Sequence, residues 1–150
     1  MLRFGAILCP VDLDQNSVAA VSVAAALARE GNATLHLLHV LPVAIRKGFS
    51  FGEMESEART KLERIGHQKL KAGTRYELLL VTGEPAIEVL QAATRLGIDL
   101  IVMATHGRRG VRRLVLGSVT ERVVREAACP VLTIKPSSTR PGASRKRSRS

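Results

Sequence analysis

The chain has 150 residues and a formal net charge of +10, and 45% of its residues are hydrophobic whereas only 3% are aromatic. This length is typical of one domain that buries about 70% of its unfolded surface, with a core of aliphatic side chains. No apolar run reaches the roughly 18 residues of a transmembrane helix, and Asp12 comes too early for a signal peptide, so we expect a cytoplasmic protein without a membrane partner. Cys9 and Cys129 each lie beside a proline at the edge of an apolar run, which is typical of core residues rather than of a disulfide or a metal site.

Strand-like and helix-like segments alternate along the chain. Short apolar runs bounded by turn residues predict five strands, which are Arg3–Val11, Thr34–Leu41, Tyr76–Val81, Ile98–Met103 and Val131–Ile134. The longer segments between them predict four helices, which are Ser17–Arg29, Glu53–Leu70, Glu84–Arg95 and Ser118–Glu126. Asn16 is the expected N-cap of the first helix, and Pro85 lies in the first turn of the third.

This alternation indicates an α/β fold, in which a parallel sheet is covered by helices on both faces. Ligands of such sheets bind beyond the carboxyl ends of the strands, where the strand order reverses. Two loops follow the first and fourth strands: Pro10–Asp12, which carries a carboxylate, and the loop within Val102–Ser118, which carries glycines and arginines. They become neighbours in a five-stranded Rossmann-like sheet of order 3-2-1-4-5, which we therefore predict.

The stretch Val102–Ser118, VMATHGRRGVRRLVLGS, combines three glycines with four arginines. Glycines let backbone N–H groups approach a ligand, a helix start presents unpaired donors, and guanidinium groups pair with phosphate oxygens. One or two of the arginines are expected to reach a phosphate, and Arg108 and Arg109 are preferred because they lie nearest Gly107. We interpret His106 as a residue that bonds to the backbone rather than as an acid or base.

Several motifs support a more specific interpretation. They are I-L-C-P-V-D in the first strand, L-H-V in the second, V-T-G-E-P-A before the third helix, and C-P-V-L-T-I-K at the last strand. The spacing Gly, nine residues, Gly-Ser is present from Gly107 to Ser118. With these motifs, the segment Phe4–Lys135 resembles the universal stress protein family, whose nucleotide motif has a further glycine where this chain has Ala104.

Ala104 is the main departure from that motif. If the position required a positive φ, alanine would cost roughly 1 kcal/mol and displace the loop. We expect instead that Ala104 ends an extended strand, where φ is negative and a methyl group fits.

The resemblance implies a bound ATP, with Mg or Mn as the accompanying metal. The phosphates would be cradled by Gly107, Gly117, Ser118, Val119 and Thr120. The adenine would be walled by Pro10, Val11, Val40 and Met103. Asp12 would hold the ribose hydroxyls or help to place the metal, although an aspartate there could also simply cap a turn. The resemblance further implies a homodimer joined through Val131–Ile134, a sheet edge whose uncharged sequence favours self-pairing.

These features favour an ATP-binding regulatory module of the stress response, with at most slow ATP hydrolysis. A P-loop, a Gly-x-Ser-x-Gly elbow and a nucleophile paired with a base are all missing from the sequence. Two alternatives stay open: an interaction module of the same fold without nucleotide, and a slow ATPase or nucleotidyl enzyme. Beyond the domain 1–135, residues 136–150 contain five Lys or Arg and no acid, which predicts a disordered basic tail that could bind nucleic acid weakly.

Overall fold

The computed structural model describes residues 3–13, 17–44, 46–105 and 116–135. Along the chain they form β1 (Ala6–Pro10), α1 (Ser17–Gly31), β2 (Thr34–Leu41), α2 (Phe51–Lys69), β3 (Arg75–Thr82), α3 (Pro85–Arg95), β4 (Leu100–Ala104), α4 (Ser118–Glu126) and β5 (Val131–Ile134). The strands make one parallel sheet in the order β3-β2-β1-β4-β5. The predicted α/β fold and its strand order are confirmed.

Each face of the sheet carries its own apolar layer. On one face, Leu35 and Leu37 of β2 pack with the alanines of α1 and with Leu62 of α2. On the other face, Leu8 of β1 packs with residues of α3 and α4, including Val123. Because successive side chains of a strand point to opposite faces, each central strand serves both layers, which explains its continuous apolar sequence. We call the layer that contains Leu35 and Leu37 the α1/α2 layer and the layer that contains Leu8 the α3/α4 layer.

Several element ends differ from the predictions. The helix α2 begins at Phe51, two residues before the predicted Glu53, and it ends at Lys69. A capping box explains the start, since Oγ of Ser50 accepts the Glu53 N–H at 3.2 Å while the Glu53 carboxylate accepts the Ser50 N–H at 2.7 Å. The strand β3 is one residue longer at each end than the predicted strand, because all eight residues of β2 pair with it. The helix α1 continues to Gly31, and α3 begins at Pro85 with Glu84 as its N-cap.

Asp99 joins the amino-terminal ends of β1 and β4 through hydrogen bonds. Its carboxylate accepts the backbone N–H groups of Gly5 and Ala6 at 2.8 and 3.0 Å, and its own N–H donates to the Ala6 carbonyl at 2.9 Å. These bonds explain why β1 begins at Ala6 rather than Arg3, and why β4 begins at Leu100 rather than Ile98. The strand β4 then extends one residue beyond the prediction, to Ala104, which pairs with Ile134 of β5.

Both cysteines are free, as expected. Cys9 is completely buried in the α1/α2 layer, and this burial raises the pKa of its thiol to about 12. A thiol in that state is an inert core group. Within the described ranges, none of the helices has the length and apolarity needed to cross a bilayer.

Candidate functional site

The strands β1 and β4 separate at the carboxyl end of the sheet. Their ladder contains only the pairs Ile7–Leu100 and Leu8–Ile101, whereas β1 stays paired with β2 as far as Pro10. We call the region between the ends of β1 and β4, where the strand order reverses, the crevice. This is the position at which open α/β sheets bind their ligands.

One wall of the crevice is the turn that follows β1. The Val11 N–H donates to the Leu38 carbonyl at 2.8 Å, and the Val11 carbonyl oxygen lies 2.7 Å from Nδ1 of His39. The Asp12 N–H donates to Oγ of Ser17, the first residue of α1, at 3.3 Å. Asp12 itself is exposed. Two neighbouring elements thus hold the backbone on which the Asp12 carboxylate is mounted.

Leu13 completes this turn with an unusual backbone. Its φ is +65°, in the left-handed region that non-glycine residues rarely adopt. Its side chain is partly buried against the α1/α2 layer. Apolar packing thus keeps the residue directly after Asp12 in this conformation.

The opposite wall is the start of α4. Gly117 is the N-cap, no side chain among the described residues caps this helix end, and the Glu121 N–H donates to the Gly117 carbonyl at 2.9 Å. The backbone N–H groups of the first three helical residues, Ser118, Val119 and Thr120, have no acceptor within the helix. Donors without a partner in the helix, together with the positive end of the helix dipole, make this terminus suited to an anion.

Ala104 and Thr120 connect β4 to this helix. Thr120 is buried, and its hydroxyl donates to the Ala104 carbonyl at 3.1 Å. That proton is therefore not available to a ligand, and the Thr120 side chain instead joins α4 to the end of β4. Among the described non-glycine residues, only Leu13 and Asn32 have positive φ. The expectation that Ala104 ends an extended strand is therefore confirmed.

The four residues expected to wall the adenine lie on different faces of the sheet. Val11 is 3% exposed and belongs to the α1/α2 layer. Val40 and Met103 are 9% and 5% exposed and belong to the α3/α4 layer, and Pro10 is half-buried at the end of β1. The family resemblance grouped these residues, but Val11 lies on one face of the sheet and Val40 and Met103 lie on the other.

Part of the predicted site lies outside the described residues. This applies to Gly107, Arg108 and Arg109, to the neighbouring His106, to the predicted cap Asn16, and to the tail 136–150. Within the described ranges, no group of three or more His, Cys, Asp or Glu is arranged to hold a metal ion.

The two histidines of β2 lie on opposite faces, as their spacing predicts. His36 has Nδ1 3.4 Å from the Glu77 carboxylate of β3, whereas His39 contacts the Val11 carbonyl. Sequence reasoning excluded a shared metal for this pair but missed the contact between His39 and the Val11 carbonyl. The L-H-V motif was its only signal, because a contact between β2 and the end of β1 depends on strand register.

Comparison with known proteins decides the family. The family model described as "Universal stress protein family" matches residues 3–135. The chain belongs to the universal stress protein family. A curated member, universal stress protein YxiE of Bacillus subtilis, is 30% identical, and the match covers 88% of this chain and 99% of that protein.

Solved structures of other universal stress proteins have the same fold. The structure of MJ0577 from Methanocaldococcus jannaschii is similar with a TM-score of 0.76 at 29% identity, over 91% of this chain and 99% of that one. A universal stress protein from Archaeoglobus fulgidus, solved in complex with dAMP, has a TM-score of 0.69 at 23% identity, over 90% of this chain and 100% of that one. At that identity, the second likeness shows the fold alone.

Proposed function

We propose that this universal stress protein binds ATP in the crevice between β1 and β4 and acts as a nucleotide-dependent regulatory module. One observation carries the proposal: the exposed Asp12 follows β1, and the start of α4 is hydrogen-bonded to Ala104 and Thr105 at the end of β4, where the strand order reverses. The dAMP complex of the Archaeoglobus fulgidus relative supports an adenine nucleotide as the ligand class. The extended backbone of Ala104 also supports it, because alanine imposes no strain there.

The two walls suit different parts of a nucleotide. The backbone N–H groups of Ser118, Val119 and Thr120, with the exposed Ser118 hydroxyl, are donors for a phosphate. Gly107, Gly117 and either Arg108 or Arg109 would complete the phosphate cradle. Asp12 can accept hydrogen bonds from the ribose hydroxyls. The adenine would lie against Val40 and Met103 on one side and against the backbone of Pro10 and Val11 on the other.

The donor set fits a nucleotide-bound Mg or Mn better than a metal bound by protein alone. Asp12 offers one exposed carboxylate, an oxygen ligand of the kind that Mg and Mn prefer. The remaining ligands would come from phosphate oxygens and water, as is usual for Mg with nucleotides. In this arrangement Asp12 would help to hold the metal, the metal would neutralise phosphate charge, and hydrolysis of the nucleotide would be slow at most.

Calorimetric titration of the purified chain with ATP–Mg tests the proposal, together with mass spectrometry of any small molecule released on denaturation. We expect binding, and a loss of about 10- to 150-fold in affinity for Asp12→Asn, because hydrogen bonds to a carboxylate are worth about 1.5 to 3 kcal/mol. Glu63→Gln, which removes an exposed carboxylate on α2, is the matched control and should bind like the wild type. No heat and no thermal shift at millimolar ATP–Mg would refute the proposal.

We also propose a homodimer joined through β5. This strand forms one edge of the sheet, Leu132 is 39% exposed on it, and Val124 of the neighbouring α4 is 44% exposed. An open edge beside apolar side chains favours pairing with a second copy. Light scattering should give a dimer mass, and Leu132→Lys should shift it toward monomer. Tyr76→Lys on the opposite edge strand, β3, is the control, and a monomeric wild type at micromolar concentration would contradict this assembly.

The remaining expectations concern location and the basic tail. We propose a cytoplasmic protein whose residues 136–150 add a weak contact with nucleic acid, because clustered basic residues release counterions from phosphate backbones. Removing the chain after Lys135 should abolish RNA affinity at low salt. RNA affinity that survives this truncation would remove the proposed role of the tail.

A further inference from the structure

The peptide group that joins Val11 to Asp12 has both of its polar atoms bound by side chains. The Val11 carbonyl oxygen lies 2.7 Å from Nδ1 of His39, and the Asp12 N–H donates to Oγ of Ser17 at 3.3 Å. One anchor comes from β2 and the other from the first turn of α1. A peptide plane held by two different elements sets the direction in which the Asp12 side chain leaves the backbone.

The contact with Val11 defines the protonation of the His39 ring. A carbonyl oxygen can only accept a hydrogen bond, so Nδ1 must be the donor and carry a proton. The distance of 2.7 Å is at the short end of the usual range for an N–H···O bond. His39 is half-buried, so water would replace this bond only in part if it were lost.

The turn needs such support because of the residue that follows Asp12. A left-handed backbone costs a non-glycine residue about 1 to 2 kcal/mol, and Leu13 adopts one with φ +65°. Strained backbone of this kind persists only where the surrounding structure holds it. The packing of Leu13 holds the turn on one side of Asp12, and the bonds from His39 and Ser17 hold it on the other.

We propose that His39 is a positioning residue of the nucleotide site, which aims Asp12 at the crevice through its bond to the Val11 carbonyl. The functional part of this inference rests on the proposed function, whereas the bond is a property of the free protein. His39 makes no contact with the nucleotide in this scheme. Its loss reduces the fraction of molecules whose turn is ready to bind, and the apparent Kd rises by the same factor.

Two substitutions of His39 distinguish the effect of its hydrogen bond on nucleotide binding from the effect of the volume of its ring. His39→Leu keeps an apolar side chain but removes the donor, whereas His39→Asn places an amide N–H near the position of Nδ1. We expect His39→Leu to weaken ATP–Mg binding about 5- to 15-fold, the equivalent of one net hydrogen bond, and His39→Asn to remain within about threefold of the wild type. His36→Leu, on the same strand but the opposite face, is the matched control and should bind normally.

A double-mutant cycle with Asp12 tests whether His39 acts through that carboxylate. If it does, His39→Leu should cause little further loss of affinity in an Asp12→Asn background, because the group that it positions is already gone. Wild-type affinity in His39→Leu, or losses that add fully in the double variant, would overturn the proposal. Circular dichroism of every variant confirms that the compared proteins are folded.

NMR of the free protein gives a readout that needs no nucleotide. Ring ¹⁵N spectra should show His39 with a proton on Nδ1, and the amide resonances of Asp12 and Leu13 should shift in His39→Leu but not in His36→Leu. A His39 ring protonated only on Nε2 would overturn the proposal. A protein that has the predicted Nδ1–H bond but binds no ATP would refute the proposed function, whereas ATP binding that is indifferent to His39→Leu would refute the role of His39 alone.

Discussion

Replacing Ala104 by glycine tests whether the position at the first glycine of the family motif needs the conformational freedom of glycine. Ala104 ends β4, does not have a positive φ, and packs partly buried against the α1/α2 layer. Glycine in a strand costs about 0.5 to 1 kcal/mol in backbone entropy, and losing a half-buried methyl adds about 0.4 kcal/mol. We therefore expect Ala104→Gly to lower the free energy of unfolding by about 1 to 1.5 kcal/mol, or the Tm by roughly 3 to 6 °C, without tightening ATP binding.

Urea denaturation followed by circular dichroism measures the stability, and calorimetric titration with ATP–Mg measures the affinity. Ala6→Gly is the matched control, because Ala6 is a half-buried strand alanine at the amino-terminal end of β1, away from the crevice. The two variants should lose similar stability. A gain in stability for Ala104→Gly, or an affinity about tenfold higher than that of the wild type, would show that the position prefers a left-handed backbone and would refute the reasoning.

The other predictions concern bonds that hold the sheet and helices together. Thr120→Val removes the hydroxyl that donates to Ala104 and should lower the free energy of unfolding by about 1 to 2 kcal/mol in urea titrations; Thr120→Ser should keep most of it, and equal losses would contradict this. Asp99→Ala removes the acceptor of two backbone N–H groups and should cost about 1 to 3 kcal/mol, whereas Asp99→Asn, which keeps one acceptor, should lose less in the same assay. The backbone N–H of Ser50 lowers the pKa of Glu53, so the stability that this carboxylate adds is present above its unfolded pKa of about 4.3 and is lost as the pH falls through the lower folded value. The difference in unfolding free energy between the wild type and Glu53→Gln should therefore shrink from about pH 5 to about pH 3, and a constant difference would contradict this.

Local sequence patterns determined the elements of this protein and the order of its strands. The strand order was predicted from the alternation of apolar runs with helices and from the two loops that this order makes neighbours, and the structure confirms it. Three element predictions, Thr34–Leu41, Ser118–Glu126 and Val131–Ile134, match the structure at both ends. The start of α2 was also readable, since Ser50 and Glu53 have the spacing of a capping box, but the glycine at position 52 favoured a longer loop.

Tertiary structure decided how the site is built. The separation of β1 from β4 after two residue pairs, and the division of Val11 from Val40 and Met103 between the two faces, follow from strand register, which is set by packing across the whole sheet. The left-handed backbone of Leu13 has no local signal, because leucine avoids that region unless its side chain is held by a core. The bond from His39 to the Val11 carbonyl joins residues that are 28 positions apart. The sequence by itself therefore specified the elements and the order of the strands, whereas the contacts that orient the turn after β1 and the start of α4 arise only when the strands pack side by side.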